Sequence, residues 1–169
     1  EDGRHAFAIA LPSGWKAQRV EQPGEPYRQV LWASVPDTKL ALAISVGEDR
    51  PLGVDESVAG ETARLLASGL PVVLKETSSV RSERVEVDRL KSHRWSGAGA
   101  VITDKTDRID TSDEWSKQFA RDRGVEHRPQ WHTVQFTERQ ERRFVVQFVP
   151  GAGRSYLIGL VGEPSEIAG

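Results

Sequence analysis

The chain has 169 residues, a formal net charge of -2 and no cysteine. That is enough chain for one domain with a sizeable core, and it excludes a disulfide framework, a Cys-ligated zinc or iron–sulfur centre and a cysteine nucleophile. Its 23 Lys and Arg are balanced by 25 Asp and Glu; no basic stretch exists to track a nucleic-acid backbone, and no apolar run has the roughly 18 residues of a membrane span.

The sequence starts at Glu1 and has no methionine. An exported protein after removal of a targeting segment fits this, as does a domain of a longer chain; export is the expectation. Phe7, Ile9 and Leu11 alternate with alanines and predict a strand with one buried side, ended by Pro12-Ser13-Gly14 and followed by Trp15. Residues 29–35 and 40–46 read as two further strands joined by the turn Pro36-Asp37-Thr38-Lys39, hence antiparallel. In the second of these Leu40, Leu42, Ile44 and Val46 share one face. Ala41, Ala43 and Ser45 share the other; a helix can sit close to such small residues, so a central strand is expected.

Residues 55–68 show the helical stripe Val58, Thr62, Leu65 and Leu66, with Asp55 or Ser57 as cap, Gly69 as stop and Pro71 beyond. Residues 80–87 and 91–102 predict a strand pair, the first exposed on one side, the second holding Trp95, Gly97 and Gly99 on one parity. The glycines leave room for a bulge or a large ring. Residues 103–130 read as an excursion from the sheet. In it Thr111 or Ser112 caps a short helix through residue 120, docked by Trp115 and Phe119 at i and i+4. Strands at 131–137, 143–149 and 155–161, with turns at 138–142 and 150–153, complete a meander. The whole reads as an α+β domain over residues 1–161, an antiparallel β-sheet with helices packed on its faces, followed by a flexible tail or linker at 162–169.

The opening Phe7-Ala8-Ile9-Ala10-Leu11-Pro12-Ser13-Gly14-Trp15, a strand pair, a helix and then antiparallel strands to the end resemble the Mog1/PsbP-like group, which includes photosystem II extrinsic proteins and bacterial PsbP-like lipoproteins. The resemblance implies an α/β/α sandwich and a non-enzymatic accessory or assembly role outside the cytoplasm of a bacterium. It carries over no catalytic residue.

The residues themselves point to no reaction. His127 and His132 are five apart and lack the His-Glu-x-x-His spacing of a zinc hydrolase, so a two-histidine metal site is the lesser reading beside surface histidines. Asp104, Asp107, Asp110 and Asp113 recur every third residue. They lack a loop glycine and are neutralised by Lys105 and Arg108, so a solvated loop is favoured over a cation site. No Gly-x-Ser-x-Gly, dinucleotide fingerprint or phosphate loop occurs, and neither a cofactor nor a metal is expected.

Five tryptophans are the unusual feature. Rigid aromatics flanked by arginine suit a protein interface, so the expected partner-binding set is Arg94, Trp95, Trp115, Phe119, Arg128 and Trp131. The leading functional expectation is a non-catalytic accessory or protein-interaction domain, exported and envelope-associated, with a protein partner and no nucleic acid. A small-molecule or metal carrier and a hydrolase with an unrecognised site are the alternatives.

Overall fold

The computed structural model describes residues 7–23, 27–48, 66–87, 89–151 and 153–167. Seven strands form one antiparallel sheet: β1 (Lys16–Gln22), β2 (Tyr27–Ser34), β3 (Ala41–Glu48), β4 (Lys75–Val87), β5 (Leu90–Asp110), β6 (Trp131–Gly151) and β7 (Arg154–Gly162). Their order is β1-β2-β3-β7-β6-β5-β4. Two meanders, one from each half of the chain, therefore meet where β3 pairs with β7, in a register running from Ala41 opposite Val161 to Glu48 opposite Arg154. The strands at that junction are the most apolar, because a central strand is covered on both faces.

One face packs Trp95, Phe144, Val146 and Leu157 under Leu66, Leu70, Val72 and Leu74. Residues 66–69 form a helical turn that sits close to the sheet. Ser45 donates to the Ser68 carbonyl at 2.8 Å and Gln29 to the Leu70 carbonyl at 2.7 Å, which satisfies acceptors a helix end leaves open. Glycine makes this approach possible: a Cβ at Gly159 would stand 1.9 Å from the Gly69 carbonyl oxygen, and one at Gly97 would meet the Phe144 ring at 2.9 Å. Burying a ring such as Phe144 contributes about 2–3 kcal/mol relative to leaving it in water. The other face packs Val30, Ala33, Leu42 and Ile44 under Phe7, Ile9, Leu11 and Trp15.

The expected α+β architecture, with helices layered on the sheet as an α/β/α sandwich, is not the one that forms. Among the described residues strands make up 63% and helix 9%. Among the described residues only 66–69 and α1 (Glu114–Asp122) are helical; of the expected helix at 55–68, residues 55–65 lie outside those described. Part of the difference has a plain physical reason. Glu138-Arg139-Gln140-Glu141-Arg142 has no residue that favours a turn, so the strand runs through it and β6 is 21 residues long. Residues 103–110 likewise continue β5 instead of leaving it. The alternating residues 7–11 keep their inward face but lie over the sheet without pairing along it, beyond a bridge at Phe7. The polar strand β1, an edge, has no alternation to announce it. Residues 163–167, read from the sequence as a tail, form a turn in which the Glu166 carboxylate accepts from the Glu163 and Lys39 amides, and Ile167 is buried.

Candidate functional site

The chain divides into two compact units, Glu1–Val101 with Gln140–Gly169, and Ile102–Arg139. The six residues expected to bind a partner are not one cluster. Arg94 is at the surface, donating to Gln147 at 3.0 Å and paired with Glu83 at 3.3 Å. Trp95 is 1% exposed and stacks on His93 inside the core of the first unit. Its assignment to a surface is therefore corrected. Neighbouring strand residues face opposite ways, so a solvent-facing Arg94 already places Trp95 inward.

Trp115, Phe119, Arg128 and Trp131 all belong to the second unit. It is built on the far portions of β5 and β6, closed by residues 111–130. Asp110 is the staple of this closure. Its Oδ1 accepts from the Ser112 hydroxyl at 2.6 Å, the Ser112 amide at 2.9 Å and the Gln130 amide at 3.1 Å. Its Oδ2 lies 3.3 Å from His127 Nε2 and 3.9 Å from Lys117 Nζ. Hydrogen bonds from Ser112, first from its side chain and then its backbone, with smaller contributions from His127 and Gln130, hold the Asp110 carboxyl far below the usual carboxylate range. Ser112 is thereby diverted from capping the helix. Asp113 does that instead, accepting from the Ser116 amide at 2.8 Å, and its own pKa is lowered chiefly by that bond.

On α1, Trp115 and Phe119 stack with centroids 5.2 Å apart, and the Arg123 guanidinium lies 4.8 Å over the Phe119 ring. These three, spaced i, i+4 and i+8, make a ladder along one side of the helix, while the small Ala120 is the buried contact. Trp115 remains 72% exposed, Phe119 42% and Trp131 58%. Ile109, Val125, Val134 and Phe136, which composition did not single out as site residues, are exposed in the same unit. Seven of the ten exposed large apolar side chains among the described residues thus lie in this one unit, and Ala120 is its only buried residue. Apolar side chains scattered singly on a surface are ordinary, whereas large contiguous apolar patches are a feature of interaction sites.

Other chemistries find less support. Asp104 accepts from Thr137 at 3.1 Å, Asp107 from the Arg108 amide at 2.8 Å, and Asp110 and Asp113 are engaged as above. Among the described residues no group of three or more His, Cys, Asp or Glu is placed to hold a metal ion. Ser92 is buried, its hydroxyl donating to the Phe148 carbonyl and accepting from the Gln147 amide. An open groove of about 320 Å³ is lined by Tyr27, Gln29, Leu70 and Pro71 among others. Its principal polar groups are already used: Tyr27 pairs with Ser155 at 3.0 Å and Gln29 with Leu70. Among the described residues no helix is long and apolar enough to cross a membrane. Comparison with protein families, curated proteins and solved structures finds no match.

Proposed function

We propose that this protein is a non-catalytic interaction domain, in which the first unit is the scaffold and Ile102–Arg139 carries the surface that engages a protein partner. The observation that supports this is the seven exposed large apolar side chains of a unit that buries only Ala120. So small a unit gains little stability from its own core, and its aromatic residues gain burial only when something covers them. Tryptophan next to arginine is the composition that concentrates binding energy at protein interfaces. The extracytoplasmic setting expected from the sequence belongs to the same proposal and is tested by fractionating source cells.

Crosslinking capture from envelope and cytosolic fractions, read by mass spectrometry, tests the reading. One saturable partner should be captured by the native chain and lost with Trp115→Ser and Trp131→Ser. Equal capture by the variants, or none by either protein, would rule it out.

A further inference from the structure

The register of β4 with β5 ends at Lys75 opposite Ala100, and that of β7 with β6 begins at Arg143 opposite Gly162. Among the described residues, 101–110 of β5 and 131–142 of β6 therefore continue as a ribbon with no third strand. A two-stranded ribbon is marginal in water, and an unpaired edge is a template for another strand.

The edge of β6 has a particular sequence. The Thr111 amide donates to the Gln130 carbonyl at 2.9 Å, so that carbonyl faces β5. Backbone groups of successive strand residues alternate in direction. The N–H and C=O groups of Trp131, Thr133, Gln135 and Thr137 consequently face away from β5, toward the open side. The stretch Trp131-His132-Thr133-Val134-Gln135-Phe136-Thr137-Glu138-Arg139 is complementary to itself about Gln135. Laid antiparallel against a second copy with Gln135 opposite Gln135, Val134 meets Phe136, Thr133 meets Thr137, His132 meets Glu138 and Trp131 meets Arg139. Every such pair occurs twice and is of a favourable kind: β-branched with aromatic, hydroxyl with hydroxyl, base with acid, cation with ring. Glu138 keeps its pairing with Lys105 of its own chain. Shifting the axis by one residue spoils the match. Centred on Phe136 it sets Val134 against Glu138, and centred on Val134 it sets His132 against Phe136.

We propose that the partner of this edge is a second copy of the chain, joined through β6 about a two-fold axis at Gln135 into a four-stranded sheet of the order β5-β6-β6-β5. The inference rests on the reading of Ile102–Arg139 as a partner surface and names one partner for it. The same pairing draws Phe136, 47% exposed, and Trp131 into cross-strand contact. It also satisfies backbone groups that an isolated ribbon leaves to water. An isologous contact of this kind closes on itself and does not propagate into fibres.

The absence of cysteine makes the test direct. Gln135→Cys should form a covalent dimer under mild oxidation, because hydrogen-bonded antiparallel partners have Cα atoms about 5.5 Å apart, within disulfide range. Thr133→Cys and Thr137→Cys should each remain monomeric under denaturing conditions, being about 14 Å from their own copies across the pair, whereas an equimolar mixture should crosslink. In sedimentation equilibrium the native chain should show a monomer–dimer equilibrium that Phe136→Lys weakens at least tenfold.

A monomeric native chain up to roughly 100 μM with no Gln135→Cys product would overturn the inference, as would equal crosslinking of all three variants alone. If self-association fails while capture of a different protein depends on Trp115, only this inference falls. If both fail, the reading of the unit as a partner surface falls with it.

Discussion

β6 shows two fates along one strand. At Phe144, Val146 and Phe148 its even-numbered side chains are buried, and at Val134 and Phe136 they are exposed. Their chemistry is the same. The difference is cover: Leu66, Leu70 and Leu74 lie over the first group, while the second belongs to a unit whose only buried residue is Ala120. An apolar alternation states that a face seeks burial; whether the molecule supplies that burial itself or leaves it to a partner depends on segments distant in sequence.

The comparison is most sharply broken by truncating matched rings. Phe144→Ala should cost about 3–5 kcal/mol in denaturant unfolding, since it removes a buried ring and leaves a cavity. A loss below about 1 kcal/mol would mean that the core described around it is not closed. Gly159→Ala comes next. Its Cβ would overlap the Gly69 carbonyl and lift the covering segment, and overpacking of that kind costs about 2 kcal/mol or more. An unchanged midpoint would show that the 66–70 turn does not press on β7.

In the second unit the important group is polar. Asp110→Ala should speed amide exchange at Ser112 and Gln130 by tenfold or more while leaving exchange in β3 and β7 unaltered, since its bonds are local. The sign of the pH effect follows from its lowered pKa. A carboxyl that is more acidic folded than unfolded stabilises the closure fully above its ordinary value of 3.8 and loses that contribution as the pH falls further. Protection of the Ser112 and Gln130 amides, measured relative to the intrinsic exchange rate at each pH, should therefore fall on acidification below about pH 4, and the Asp110→Ala chain should lack this fall; a pH-independent difference would contradict the assignment. The smallest effect belongs to the ladder. Trp115→Ala should change unfolding free energy by no more than about 0.5 kcal/mol, as exposed substitutions do, and a larger loss would mean that the ring serves the fold and not a partner.

Local pieces of the fold were legible, but its layering was not: helices packed on the sheet were expected, and the described residues are mostly strand. Strand parity, the turn at Pro36–Lys39, the small residues of β3 that admit the 66–69 turn and the room that Gly97 leaves beside a ring are local properties, carried by residue size and alternation. The burial of Trp95 was readable too, from the charge of Arg94 beside it. What misled was the charged run Glu138–Arg142: polarity suggested a turn, yet a turn needs backbone conformations that glycine, proline, asparagine or aspartate favour, and none is present. Of the candidate site, Trp115, Phe119 and Trp131 were readable as aromatic residues flanked by charge. Val134 and Phe136 were not separable from core, because an exposed and a buried alternating strand have the same sequence pattern.

The sequence by itself determined which residues share a face, where glycine must stand and that the chain holds no cysteine, no dinucleotide fingerprint and no phosphate-loop motif. Only the tertiary structure decided that β3 meets β7, that β5 and β6 run on past their neighbours and that one half of β6 is roofed while the other is open. Those outcomes depend on contacts between residues up to 120 apart, such as Ala41 with Val161, and periodicity carries no information about which distant segment will cover a face.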